Sequence, residues 1–196
     1  MAIVSNRFWV TDVEGSGGTP PEIVEMAMLE IADLKPTGSQ YHWLIRPEHP
    51  IQTAASIIHG LTDADVADAP SIEDISDDVL QWLDGAQIVG HNVRIELDII
   101  SRSIPVWKPQ AAIDTLKLAK VLRPGLASYG LENLGTALGH SQEAARRTGR
   151  AHHSALYDAT LTALIFVDLL TNLPQERRAD VLREADILDP RQATLL

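Results

Sequence analysis

Asp12 and Glu14 stand two residues apart in Arg7-Phe8-Trp9-Val10-Thr11-Asp12-Val13-Glu14. This β-branched and aromatic stretch reads as a strand, and Gly15-Ser16-Gly17-Gly18 ends it with a glycine-rich turn. Side chains alternate faces along a strand, so the two carboxylates point the same way, roughly 6.5–7 Å apart. That spacing suits a pair of hard divalent cations about 3.5–4 Å apart, with one carboxylate bridging and the other holding one ion. An edge strand with an acidic face turned to solvent would carry the same two residues, so the pair needs support from elsewhere in the chain.

That support comes from two later stretches. In His153-Ser154-Ala155-Leu156-Tyr157-Asp158, a histidine stands at the mouth of an apolar helix and a carboxylate lies one turn inside it. A carboxylate among leucines is costly unless a cation, a hydrogen-bond network or an edge reaching solvent receives it. His91-Asn92-Val93-Arg94-Ile95-Glu96-Leu97-Asp98 supplies a fourth acid on a second helix. Glu96 and Asp98 lie about 200° apart around that helix, so only one of them can face a shared site.

The elements that must position these groups follow in order. Glu22 to Ala32 is apolar with polar residues recurring imperfectly, which permits a helix or a strand, and Lys35-Pro36-Thr37-Gly38 follows as a turn. Gln40 to Arg46 is a strand candidate with Tyr41, Trp43 and Ile45 on one face. Three strands joined by short turns would make an antiparallel meander. Ala54 to Leu61 reads as a short helix stopped by Gly60, and Ser71 is an N-cap for a helix over Ile72 to Leu83. Gln87 to Gly90 is a short buried strand, and His91-Asn92 opens a helix reaching about Arg102. Ala112-Ile113 forms a last short strand, Asp114 caps a helix through Val121, and Leu131 to Leu138 gives another, ending at Gly139. Arg146-Arg147-Thr148-Gly149-Arg150 reads as a basic loop. Ala155 to Leu170 is apolar nearly all round and therefore buried, and Gln175 to Asp186 is a charged amphipathic segment. Strands first, then alternating strands and helices, indicate an α/β fold with a mixed sheet covered by helices.

Composition narrows the class. The 196 residues suit one domain with a real core. No apolar run approaches the ~18 residues that span a bilayer, and the N-terminus lacks a basic-then-apolar signal pattern. The absence of cysteine excludes thiolate metal sites and cysteine nucleophiles and is compatible with a cytoplasmic protein. The net charge of −11 is opposite in sign to that of proteins that track along duplex nucleic acid. A ligand here is therefore small or gripped locally through metal ions.

Taken in order, Asp-x-Glu on a first strand, His-Asn-x-x-x-acid on a middle helix and His-x-x-x-x-Asp on a late helix resemble the DEDDh, or DnaQ-like, 3′–5′ exonucleases of the ribonuclease H-like superfamily. Ile58-His59-Gly60-Leu61-Thr62 is similar to the family's segment before its second motif. Ile113 to Ala119 and Leu131-Glu132-Asn133-Leu134 are similar to the segments before its third. The resemblance covers about residues 6 to 170, and the expected division is an exonuclease domain over 1–171 and a helical extension with a tail over 172–196.

The resemblance implies a mixed five-stranded sheet, three antiparallel strands first, flanked by helices. It implies two Mg²⁺ or Mn²⁺ ions held by Asp12, Glu14, Glu96 and Asp158, with His153 as the general base. Its substrate is nucleic acid with a single-stranded 3′ end, DNA or RNA, and the implied substrate-binding residues are Gly15, Ser16, His59, Leu61, His91 and Asn92. The basic 146–150 segment is expected to share the anion contacts. Two departures stand out. The second-motif acid is normally aspartate, yet counting to the large apolar residues that follow it, here Ile99 and Ile100, selects Glu96. Ser16 also stands in a turn where the family usually carries threonine. A binding module with a crippled metal site, and a hydrolase of very short oligonucleotides, are the competing readings.

Overall fold

A computed structural model describes residues 6–191. Its centre is a five-stranded sheet of β1 (Arg7–Gly15), β2 (Ile23–Ala32), β3 (Lys35–Leu44), β4 (Gln87–Gly90) and β5 (Ala111–Asp114). The spatial order is β3-β2-β1-β4-β5, with β2 antiparallel to β1 and β3, and β4 parallel to β1 and β5. The helices are α1 (Thr53–His59), α2 (Asp63–Val66), α3 (Ile72–Leu83), α4 (Arg94–Ser103), α5 (Thr115–Leu122), α6 (Leu131–Leu138), α7 (Ser141–Thr148), α8 (Ala155–Thr171) and α9 (Gln175–Ala185). Among the described residues no helix is long and apolar enough to cross a membrane.

The expected mixed sheet, three antiparallel strands first, is the one found. The ambiguity over Glu22 to Ala32 resolves as a strand, and the reason is its position between two layers. Met26 and Met28 face a core built with α3 and α4, while Ala27 and Leu29 face Ala155, Leu156 and Ala159 of α8. A strand buried on both sides loses the apolar–polar alternation that marks a half-buried one.

Two local expectations need correction. The turn between β2 and β3 lies at Asp33-Leu34, both left-handed with φ of 50° and 59°, and Lys35 already begins β3. Two consecutive residues at positive φ make the hairpin turn whose twist matches the flanking strands, here without the glycine that normally announces it. The basic stretch is mostly helix: α7 carries Arg146 and Arg147 in its last turn, and both donate to Glu143 one turn earlier. Pairs at i,i+3 and i,i+4 favour helix over loop.

Helix α8 is the second axis of the fold. Thirteen of its residues are buried, and it lies against β1, where Phe166 meets Phe8 edge to face with ring centroids 5.1 Å apart. Beyond α8, α9 buries Val181 and Ala185 in the same core. Asp186 then pairs with Ile113 in an antiparallel bridge, and the Asp186 carboxylate accepts from the Ala112 N–H at 2.9 Å. The segment from 172 to 191 is thus fastened to the β5 edge of the sheet, and the rest of the expected tail, 192–196, lies outside the described residues.

Candidate active site

The even-numbered residues of β1 share one face, so the strand that places Phe8 and Val10 under α8 carries Asp12 and Glu14 outward along the same side. Asp158 arrives from the first turn of α8. Ligand oxygens of Asp12, Glu14 and Asp158 all lie within 4.8 Å of one another. Glu96 comes from α4, whose Ile99 and Ile100 anchor it in the core one turn later. It is 4% exposed and its Oε2 has no hydrogen-bond partner, whereas Asp98 is exposed on the other side of the helix.

These four acids are electrostatically frustrated. Burial, then the charges of Glu96, Asp158 and Glu14, push Asp12 well above the ordinary carboxylate range. Burial followed by Asp158 and Glu25 raises Glu14 to about 8, and burial followed by Asp114 and Glu14 raises Glu96 to about 8. Asp158 is also raised by burial, against the lowering effect of its hydrogen bond to His152. Like charges gathered out of water hold their protons until something positive replaces them.

His153 precedes α8 in a left-handed conformation, φ 68°, and is exposed. Its backbone N–H donates to Asp158 Oδ2 at 3.0 Å. Burial and neighbouring His152 lower its pKa, so the imidazole is neutral near pH 7 and free to accept a proton. His152 was not anticipated from the sequence. Its Nδ1 lies 2.7 Å from Asp158 Oδ1, and its ring stacks on that of His153 with centroids 3.8 Å apart. The doubled histidine was the available signal. Glu25 was also missed. It is a buried acid on β2, opposite Glu14, that accepts from His42 and from the N-terminus of α8. An acid inside an apolar run was the sign, by the same reasoning that singled out Asp158.

The glycine-rich turn is held from within. The Ser16 hydroxyl is buried and accepts from the Glu22 N–H at 3.0 Å, while the Ser16 carbonyl accepts from the Gln52 N–H at 2.8 Å. Gly17 has φ 77°, and a Cβ there would meet the Ala55 Cβ at 2.9 Å, so α1 packs directly on the turn. At the end of α1, His59 lies beside the Gly15 backbone and within electrostatic reach of Glu25 and His153, and half-buried Leu61 follows the Gly60 helix end. His59 Nδ1 accepts from the Leu61 N–H at 3.1 Å, and burial lowers its pKa against the raising effect of the Gly15 backbone beside it.

His91 is placed differently. Its Nε2 reaches the Tyr129 carbonyl and its Nδ1 the Thr115 hydroxyl, each at 2.9 Å, so both ring nitrogens serve the scaffold. Asn92 has φ 65° and gives its backbone N–H to Asp114, leaving an exposed side chain just before α4. The helix therefore starts at Arg94, after a His-Asn turn rather than with it.

Comparison with known proteins agrees with this geometry. Residues 10–166 match the model of the RNase T exonuclease family. The chain is 29% identical over 176 residues to DNA polymerase III subunit epsilon of Rickettsia felis, covering 84% of this chain and 74% of that one. It is 31% identical over 161 residues to exodeoxyribonuclease 10 of Escherichia coli K12, covering 81% of this chain and 68% of that one. The structure of exonuclease X in complex with 5′ overhanging duplex DNA superposes with a TM-score of 0.68 at 30% identity, covering 89% of this chain and 99% of that one. With four-fifths of its length matched and its acids gathered at the C-terminal end of β1, the chain belongs to this exonuclease family.

Proposed function

We propose that the protein is a 3′–5′ exonuclease that removes nucleotides from the single-stranded 3′ end of DNA or RNA. In this reading two divalent cations are held by Asp12, Glu14, Glu96 and Asp158, and His153 is the general base. The observation that carries it is the set of crowded carboxylates, three within 4.8 Å of one another and the fourth buried with an orphaned oxygen. An all-oxygen donor set of this charge fits Mg²⁺ or Mn²⁺. Bound there, the ions would lower the pKa of an attacking water and offset the charge developing on the departing 3′ oxygen.

The chain's own groups do the rest. His153, neutral near pH 7, takes the proton that the water loses as it attacks phosphorus and the P–O3′ bond breaks. Its N–H bond to Asp158 and its stacking on His152 hold the imidazole beside the carboxylates. Leu61 offers an apolar surface to the terminal base, and His59 stands beside the Gly15 backbone at the end of β1. Gly15 closes β1 on the face away from the acids, where a Cβ would meet Pro21 at 3.4 Å and Ile99 at 3.6 Å, so it serves the packing of the turn. His91 acts by supporting the His-Asn turn, and Asn92 presents an exposed amide beside α4. Ser16 shapes the turn rather than touching the substrate. The 146–150 segment contributes less than its composition suggests, because Glu143 already engages Arg146 and Arg147.

The test is degradation of 3′-labelled and 5′-labelled single-stranded DNA and RNA of graded length, with Mg²⁺, Mn²⁺ or EDTA. Immediate release of the 3′ label as a mononucleotide, abolished by EDTA, is the expected result. Release of 5′ label first, or cleavage in EDTA, would overturn the reading. Activity confined to the shortest members would point instead to a hydrolase of very short oligonucleotides.

A further inference from the structure

Glu25 takes no part in the chemistry above, yet it is one of the most completely bound acids in the molecule. It is 2% exposed on β2. Its Oε1 accepts from His42 Nε2 at 2.7 Å and from the Ser154 hydroxyl at 3.1 Å, and its Oε2 accepts from the Ala155 N–H at 3.0 Å. Three separate parts of the chain thus converge on one carboxylate: β2 itself, β3 through His42, and the start of α8.

The last contact is unusual. Ser154 occupies the N-cap of α8 but makes no side-chain cap of its own. An N-cap serine ordinarily turns its oxygen back onto the first free amides of its helix. Here Ser154 donates to Glu25 instead, and Glu25 supplies the capping oxygen to Ala155 from a different element. The negative charge also sits where the helix dipole favours it. His153 immediately precedes this cap. It is held on one side by the Asp158 carboxylate through its own N–H, and on the other by the bonds from Ser154 and Ala155 to Glu25. His153 thus holds φ 68°, a conformation that non-glycine residues populate sparsely, between two clamps.

We propose that Glu25, braced by His42, is a positioning residue that fixes the His153 turn relative to the carboxylates. It acts through the Ser154 hydroxyl and the Ala155 amide. The proposal rests on the reading of His153 as the general base. His42 sets the rotamer of Glu25 from behind, so its removal loosens the clamp without abolishing it.

The experiment combines exchange and kinetics on the full chain. Glu25→Ala should lose amide hydrogen-exchange protection at Ala155 and lower kcat roughly 10–100-fold, the usual effect of removing a group that orients a catalytic residue. KM for single-stranded DNA and the Mg²⁺ requirement should stay within about twofold. In a His153→Ala background the same substitution should cost almost nothing further, because both changes disable one unit. Glu25→Gln keeps the shape and one acceptor oxygen, so it should fold normally and lose several-fold in kcat; His42→Ala should lose less than Glu25→Ala. Retained protection at Ala155 in both Glu25 variants would overturn the proposal. So would an equal loss of rate in the wild-type and His153→Ala backgrounds, since that marks a general structural effect. A wild-type protein inert toward every nucleic acid would overturn the exonuclease reading instead, and Ala155 exchange would still decide whether Glu25 holds the turn.

Discussion

Strands β1 and β2 lie side by side, and each carries two acids in an otherwise apolar run. Their carboxylates meet opposite fates. Glu30 of β2 accepts from Arg7 and from the Thr37 hydroxyl, each at 2.7 Å. Burial alone would raise Glu25, but its bonds from His42, Ala155 and Ser154 outweigh that and hold it below the ordinary value. On β1, Asp12 and Glu14 meet Asp158 and one another, and both are raised. Glu14 and Glu25 are direct partners across the two strands, and Glu25 is the less exposed of the two, so neither location nor burial explains the contrast. It arises from what neighbouring elements bring: donors to β2, more acid to β1. A buried acid that the fold satisfies belongs to the architecture. A group of acids that the fold leaves in mutual repulsion calls for a cation from outside.

The contrast is broken most completely at Asp12. Asp12→Asn should abolish turnover and most of the thermal stabilisation that Mg²⁺ gives the wild-type protein, because one arm of the cation site is gone. Melting curves with and without Mg²⁺, run beside the nuclease assay, check both halves. Next in size is His153→Ala, expected to lower the rate roughly 10²–10⁴-fold while leaving Mg²⁺ stabilisation intact. A mutant cleaving at the wild-type rate, with its pH profile unchanged, would remove His153 from the mechanism.

Opposite signs offer a sharper test. In EDTA at pH 8, Glu25→Ala should destabilise the protein by about 3 kcal/mol, since it strands the donors that converged on a buried charge. Asp12→Asn under the same conditions should be neutral or stabilising, because it relieves repulsion among like charges. Two destabilisations of similar size would show that the β1 acids are satisfied after all.

The pH dependence follows with its sign. Glu14 and Glu96 rise from an ordinary 4.5 to about 8 in the folded, metal-free protein. The folded state therefore holds protons that the unfolded state releases, and stability from these groups is full below about pH 4.5 and is lost as pH climbs through 8. Cations that displace those protons reverse the loss. The gap in Tm between Mg²⁺ and EDTA should accordingly widen from pH 5 to pH 9. A constant gap would mean that the acids are ionised without help.

Much of this arrangement was legible in the chain, for reasons that differ residue by residue. Alternation along a strand put Asp12 and Glu14 on one face, and glycine punctuation marked Gly60 and Gly139, both left-handed helix ends. What escaped depended on partners distant in sequence. The double burial of β2 comes from α8, more than a hundred residues later, and erased the periodicity that would have identified the strand. The Asp33-Leu34 turn has neither glycine nor asparagine to announce positive φ. The α7 arginines read as a loop because their partner, Glu143, gains meaning only once a helix brings it beside them. Glu25 needed His42 and Ala155 for its role to appear, and no local pattern contains them.

The smallest expected effect is also the most direct check on the helical register of α4. Asp98 is exposed on the other side of α4 from the acids, whereas Glu96 is 4% exposed with an orphaned oxygen. Asp98→Ala should leave activity unchanged and shift stability by no more than about 0.5 kcal/mol. Glu96→Ala should abolish activity, and in EDTA at pH 8 it should not weaken the fold as a satisfied buried acid would, because no hydrogen bond to its Oε2 is lost. Glu96→Asp keeps the charge on a shorter stem and should retain activity, with its preference between Mg²⁺ and Mn²⁺ shifted, since Mg²⁺ tolerates distorted octahedral geometry poorly. An inactive Asp98→Ala beside an active Glu96→Ala would place the wrong side of α4 at the site. The comparison between the frustrated and the satisfied acids would then lose its fourth member.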